Sequence, residues 1–390
     1  MHWTLTIPRF IVKGCENLLI GGFYSVDFPL GVTQPEQKSF SLRCASEEAY
    51  PTRVYVNNGR TATVYALRSG IPLTNQDVIL LPDYLCVSIL NALETTPAKF
   101  RYYRVRKDLS IDLDDLQKKM DKHVKVIYLI HYFGVPHDEQ TQKVVLQLSK
   151  AYGAQIIEDL TQTLYTVCPG RIGFGDYLVA STRKWLPGTD GGLMAARKGL
   201  PLRPQALSSA YDEAVYRQLL ISIARQYYDT HPQADITPYL LLEKQANAAR
   251  YLDFTPREMT EFSRNILFCY DHEASMAARR RNYQVLYDAL QNIPGVTLLA
   301  KPLDHAGGFV PFGFPILVDN RDQVYTYLAN HGIIGEIQWI LPTQYYTPGA
   351  DAQYLSDHNI MLQCDQRYGS SEMEQVADCL KQYFIRGKSL

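Results

Sequence analysis

Between Val124 and Gly192 lie three apolar runs, the last two leading directly into clusters of polar residues, and no other feature restricts the fold of this chain so tightly. VKVIYLIHYFGVP is almost unbroken in its hydrophobicity until Gly134 and Pro136, as a strand buried on both faces should be. QTQKVVLQLSKAYG then puts Val144, Val145, Leu148 and Ala151 on one helical face, with Gly153 where a helix stops. A second apolar strand, AQIIEDLTQ, delivers Glu158 and Asp159 directly after its last hydrophobic residue. A third, DYLVAS, delivers Ser181, Thr182, Arg183 and Lys184 in the same way. Parallel α/β sheets bind ligands outside the carboxyl ends of their strands, so these polar sets are expected to meet in space, with Asp159 facing Lys184.

A carboxylate and an amine in one crevice, with a hydroxyl one turn before the amine, suit pyridoxal 5'-phosphate (PLP). The amine of Lys184 condenses with the aldehyde. Asp159 pairs with the pyridine nitrogen and keeps it protonated, so that the ring draws electrons, and the hydroxyl of Ser181 holds the phosphate. A buried Asp–Lys ion pair without a cofactor is the alternative these residues leave open.

Upstream, VYVNNGRTATVYALRSG reads as a short strand, Val54 to Val56, running through Asn58-Gly59-Arg60-Thr61 into a helix that ends near Gly70. A glycine turn that opens a helix offers backbone N–H groups and a positive dipole end to an anion; an ordinary capped helix is the plainer reading. Strand Val78 to Leu81 leads into PDYLCVSILNAL, and strand Phe100 to Val105 into the helix IDLDDLQKKM, capped by Asp112. Repeated β-α-β units of this length predict a mostly parallel sheet flanked by helices.

The succession IEDLTQ, GFGD, STRKW, TDGG resembles the core of the fold-type-I PLP-dependent aminotransferases, and most closely the DegT/DnrJ/EryC1/StrS sugar aminotransferase family. The resemblance runs from about Tyr55 to Gly192 and, more faintly, over the last third of the chain. It implies an aspartate aminotransferase-like α/β fold, with a large PLP-binding domain at 51–270, a smaller α+β C-terminal domain at 271–390, and an N-terminal segment, 1–50, packed on the domains or on a dimer partner. It also implies that Gly59, Arg60 and Thr61 cradle the phosphate, that Gln162 contacts the ring hydroxyl oxygen, and that Asp159, Ser181 and Lys184 take the roles given above. The family's ring-stacking aromatic four residues after Pro82 is replaced here by Cys86, leaving Tyr84 or the smaller Cys86 face to meet the ring. The family's G-x-N-x-R-M motif, whose Asn reaches the neighbouring subunit's phosphate, is missing, and REMTEFSRN at 257–265 is the segment nearest its place. The implied reaction moves an amino group, from glutamate, to a nucleotide-linked keto sugar in a homodimer with sites at its interface.

Other classes are weakened by composition. A formal charge of −1 gives no electrostatic case for nucleic acid or an anionic membrane surface, and no apolar run approaches a membrane span. The N-terminus has neither a basic n-region nor a continuous apolar core, which argues against a signal peptide. Seven scattered cysteines without a C-x-x-C pair suit reduced thiols in a cytoplasm. The nine histidines show no zinc spacing, so no metal is expected, and His131 reads as structural. GRIGFG at 170–175 precedes a strand instead of following one and is no dinucleotide fingerprint.

Downstream, ASMAARRRNYQVLYDALQN is expected to be a helix whose Arg279 to Arg281 form a solvated face. Strands near Val296, at Phe312 to Val318 and near Ile360, a helix from Arg321 to His331, and a closing helix from Ser371 with Glu374 in a capping box complete the expectation. Two rivals stand beside transamination. A PLP-dependent lyase or desulfurase is disfavoured by Arg183 where such enzymes often carry a His before the lysine. A binding protein that kept the fold and lost catalysis is disfavoured by the intact set Lys184, Asp159, Gln162 and Ser181.

Overall fold

The structure, a computed structural model, describes residues 19–22, 24–25, 40–211, 213–231, 234–235, 237–249, 253–303 and 308–386. Most of the N-terminal segment expected to wrap the molecule lies outside them. Of that segment, Ile20 pairs with Ile333, and the Tyr24 hydroxyl donates to the Trp185 carbonyl.

The chain begins its regular structure with β1 (Thr52–Val56) and α1 (Gly59–Gly70), then β2 (Val78–Pro82), α2 (Val87–Leu93), β3 (Lys99–Tyr103) and α3 (Leu113–Lys118). The stretch read first from sequence forms β4 (Val124–Ile130), α4 (Glu139–Tyr152), β5 (Gln155–Asp159), β6 (Tyr177–Ala180) and β7 (Gly192–Ala196). These strands make one seven-stranded sheet, in the order β1-β7-β6-β5-β4-β2-β3. The five from β6 to β3 run parallel, while β7 is antiparallel to both neighbours. From β2 the chain moves outward to β3, whereas from β4 it moves the other way to β5 and β6. The crevice at the strands' carboxyl ends therefore opens where the winding reverses. Every residue of β2, β6 and β7 is buried, which is why their sequences show no alternation.

Beyond the sheet come α5 (Glu213–Thr230), α6 (Thr237–Ala249), α7 (Glu261–Cys269) and the long α8 (His272–Leu290). A second, three-stranded antiparallel sheet follows from β8 (Val296–Leu298), β9 (Phe314–Val318), α9 (Arg321–Asn330), α10 (Ala350–His358), β10 (Asn359–Leu362) and α11 (Ser370–Arg386). Its apolar face packs with α8, α9 and α11 into a core distinct from that of the large sheet. The closing helix starts at Ser370, one residue before the expected position. Glu372, and not Glu374, reaches back to the Gly369 N–H at 2.8 Å. On α5, Tyr216, Leu220, Ile223 and Tyr227 recur at helical spacing and stay about half exposed, opposite the buried Gln218, Ile221 and Arg225. Among the described residues no helix is long and apolar enough to cross a membrane.

Glu158 and Asp159 are adjacent on β5, so a strand's alternation sends them to opposite faces. Glu158 is fully buried and organises the GFGD loop, accepting from the N–H groups of Gly173, Phe174 and Gly175 at 2.7–2.8 Å and meeting His131 Nε2 at 2.8 Å. The other ring nitrogen of His131 accepts from the His137 N–H, so His131 is the satisfied structural histidine that its sequence position suggests. His137 in turn donates from Nε2 to the Ile130 carbonyl.

Burial, reinforced by His131, lowers the His137 pKa to about 3. A histidine held neutral in the fold but free to protonate when unfolded stabilises the protein above its unfolded pKa, and that stability is lost as pH falls towards the folded value. We expect unfolding free energy, from urea titrations between pH 6.5 and 4, to fall by about 1.4 kcal/mol per pH unit from this group, and His137→Gln to flatten that slope.

Candidate active site

A cleft of about 930 Å³, counting its mouth, lies against the carboxyl ends of β4, β5 and β6, the N-terminus of α1 and the turn before α2. The helix starts where it does because Asn58 caps it, its Oδ1 accepting from the Thr61 N–H at 3.0 Å. Thr61 is consumed by that cap. Its hydroxyl donates to Asn57 Oδ1 at 2.6 Å and its Oγ1 accepts from the Asn58 N–H at 3.2 Å, which places Thr61 behind the cleft and not in it. Thr63, one turn after Gly59, lines the cleft instead. Gly59 lies against the end of β6: a Cβ there would stand 3.1 Å from Ser181 Cβ and 3.2 Å from Ser181 N. Gly192 is equally confined, since its Cβ would overlap the Asn58 backbone. Two glycines thus let the helix N-terminus, with the N–H groups a helix leaves without internal partners, open beside the Ser181 side chain.

Asp159 ends β5 and is almost fully buried. Its Oδ2 accepts from the Tyr128 hydroxyl at 2.8 Å and its Oδ1 from the Thr161 N–H at 2.8 Å, so each oxygen keeps a second lone pair for another donor. Burial, with the neighbouring Asp159 charge, pushes the Tyr128 phenol far above its usual range, so it stays a donor. Lys184 ends a single turn of 3₁₀ helix, Thr182–Lys184, immediately after β6, and lines the cleft with Ser181 and Arg183. Next to it the buried Trp185 donates from Nε1 to the Thr161 carbonyl at 2.8 Å, tying the lysine's segment to the carboxylate's.

The cleft therefore brings together Gly59, Arg60, Cys86, Asp159, Gln162, Ser181 and Lys184, and leaves out Thr61 and Tyr84. Tyr84 is wholly buried; its hydroxyl bonds to the Gln338 carbonyl and its ring packs against Tyr132 and Trp339. Cys86 lines the cleft at the expected aromatic position, and the aromatic wall comes from Trp339. Gln162 accepts from the Phe133 N–H on its oxygen at 2.6 Å and donates to Gln338.

Sequence reasoning missed Tyr128, Thr63 and Trp339. Thr63 was within reach of it, one helical turn from Gly59, whereas Trp339 arrives on an irregular segment with no local signal. REMTEFSRN is fixed at the TDGG turn: Thr260 donates to the Asp190 carboxylate from both N–H and hydroxyl. Arg279 corrects the expectation of a solvated helix face. It is buried against the Trp185 ring at 4.5 Å and donates to Gln366, Tyr24 and the carbonyls of Pro311 and Phe312, while Arg281 alone of the three is exposed.

This donor set fits PLP. A carboxylate for the ring nitrogen, an amine for the aldehyde, and a helix N-terminus beside a serine for the phosphate all open on one cleft, and an added Cβ at Gly59 would press on the end of β6 that carries Ser181. Among the described residues no group of three or more His, Cys, Asp or Glu side chains is placed to hold a metal ion.

Residues 36–194 match the model of the DegT/DnrJ/EryC1/StrS aminotransferase family. A curated relative, GDP-perosamine synthase of Vibrio cholerae, is 23% identical over 150 residues, which covers 37% of this chain and 40% of that protein. The chain thus matches two fifths of the relative's length. Among solved structures, the aminotransferase TlmJ from Streptoalloteichus hindustanus superimposes with a TM-score of 0.63 at 16% identity, covering 87% of each chain. DesV of S. venezuelae, solved in complex with a ketimine intermediate, gives 0.63 at 17%, covering 88% of this chain and 86% of its own. PseC of Helicobacter pylori, an aminotransferase of pseudoaminic acid biosynthesis, gives 0.62 at 15%, covering 86% and 87%. At these identities the likeness establishes an aminotransferase fold.

Gly59→Ala should separate α1 from the end of β6. We expect PLP to bind at least about tenfold more weakly, equivalent to ~1.4 kcal/mol, in a fluorescence titration, with the far-ultraviolet circular dichroism unchanged.

Proposed function

Because residues 36–194 match the model of the DegT/DnrJ/EryC1/StrS aminotransferase family, we propose that this protein is a PLP-dependent aminotransferase that carries an amino group from glutamate to a nucleotide-linked keto sugar. The observation that carries the reading is the convergence of Lys184, Asp159, Gln162, Ser181 and the α1 N-terminus on one cleft, from segments far apart in sequence. The acceptor class is supported by the V. cholerae relative, whose name describes the synthesis of a GDP-linked amino sugar.

When bound, PLP supplies an aldehyde carbon that exchanges nitrogen and a ring that takes up the electron pair left when a proton departs. The protein's part is proton management and orientation. Asp159, held by Tyr128 and Thr161, holds a proton on the ring nitrogen. Lys184 Nζ, on a short turn between Ser181 and Trp185, would take a proton from the donor's α-carbon and later give it back, serving as base and then as acid. The α1 N-terminus and Ser181, with Arg60 and Thr63 beside them, orient the phosphate. We assign the PLP-binding unit to about 51–270 and the smaller unit to 271–390, in a cytoplasmic homodimer. The exposed Tyr216–Leu220–Ile223–Tyr227 stripe on α5 supports a further partner surface. A binding protein is the weaker reading, because it assigns no task to a lysine placed in the cleft beside a buried carboxylate.

Purified protein incubated with PLP should turn yellow, and borohydride should fix the colour covalently in wild type but not in Lys184→Ala. Glutamate should convert the yellow form to the amino form of the cofactor; failure with every amino acid tested would exclude transamination. A screen of nucleotide-linked 3-keto and 4-keto sugars, read by return of the yellow absorbance, identifies the acceptor.

A further inference from the structure

Behind Gln162 a chain of polar side chains crosses from the large-sheet unit to the small one. The Phe133 N–H donates to Gln162 Oε1 at 2.6 Å, and Gln162 Nε2 donates to Gln338 Oε1 at 2.5 Å. Gln338 Nε2 donates to Glu336 Oε2 at 2.6 Å, and Gln363 Nε2 donates to Glu336 Oε1 at 2.9 Å. A side-chain amide fills the same space in either orientation, so shape alone does not decide which end of Gln162 or Gln338 points where. The ends of this chain do decide it. A backbone N–H only donates and a carboxylate only accepts, so amides strung between them have one consistent polarity. Turning Gln338 over would set its oxygen against the Glu336 carboxylate, and turning Gln162 over would set its NH₂ against the Phe133 N–H. Gln162 and Gln338 are 2% and 3% exposed, so solvent offers little relief. The Gln338 backbone is pinned as well, donating to Asn359 Oδ1 at 2.9 Å and accepting from the Tyr84 hydroxyl.

Gln162 lines the cleft, and its Nε2 carries one hydrogen beyond the one given to Gln338. We propose that Glu336 is a positioning residue: acting through Gln338, it fixes the Gln162 amide so that this remaining N–H is presented to the anionic ring oxygen of bound PLP. The inference rests on the PLP reading of the cleft. Its consequence is electronic. A donor on the ring oxygen withdraws electron density and loosens the oxygen's hold on the proton of the yellow, lysine-bound chromophore, so that proton leaves at lower pH. Without Glu336 the Gln338 amide turns freely, Gln162 loses its second anchor, and the chromophore's pKa rises. A residue that merely supported the fold would change the melting temperature and leave this pKa in place.

The test is a spectrophotometric pH titration of PLP-loaded wild type, Glu336→Ala, Gln338→Leu and Gln363→Ala, with thermal melts alongside. Glu336 is exposed, so its replacement spares the core. The proposal expects an upward shift of about one pH unit in Glu336→Ala and Gln338→Leu, the scale of one hydrogen bond to a charged group. It expects no shift in Gln363→Ala, which leaves the carboxylate facing Gln338. Yellow protein with the same pKa in wild type and Glu336→Ala overturns the relay and leaves the PLP reading intact. Wild type that stays colourless with PLP overturns that reading, and the relay with it.

Discussion

The touch of Gly59 on Ser181 is the contact on which the cleft depends. It brings the positive end of α1 to within van der Waals distance of the end of β6, one strand away from Asp159. No side chain larger than hydrogen is accommodated there without displacement, so the approach is set by sterics before any ligand arrives. The sheet fixes the rest: β5 and β6 are parallel neighbours, and the residues that follow their last buried positions have little choice of where to emerge.

The two carboxyl groups at the end of β5 are engaged differently on the strand's two faces. Glu158 is enclosed by three backbone N–H groups and a histidine, so its charge serves the GFGD loop and is withheld from the cleft. Asp159, its neighbour, accepts among the described residues from Tyr128 and Thr161 and opens on the cleft. The same residue pair thus does two jobs, because a strand turns consecutive side chains to opposite faces.

What was legible in the sequence follows from what is local. β2, β4, β5 and β6 announced themselves because strands buried on both faces need unbroken hydrophobicity, and the polar residues behind them were legible for the same reason. Arg279 was misread because a run of three arginines looks solvated, whereas a helix turns consecutive residues by 100° and sends one of the three inward. Tyr84 carried the right chemistry at nearly the right place, but the turn after Pro82 sends it into an aromatic cluster with Tyr132 and Trp339. Thr61 fell out because an N-cap competes for hydroxyls near a helix start. Trp339 and Gln338 were invisible for a different reason: an irregular segment of the small-sheet unit, which no periodicity encodes, brings Trp339 to the cleft and Gln338 to Gln162 behind it.

Arg279 ties the small-sheet unit to the segment that carries Lys184. Its guanidinium lies over the Trp185 indole, one residue from Lys184, and it donates to Pro311, Phe312, Gln366 and Tyr24. The helix that packs on the small sheet is therefore anchored one residue from Lys184. If the two halves rock about that anchor, the Lys184 side chain travels least while the outer walls of the crevice sweep the widest arc.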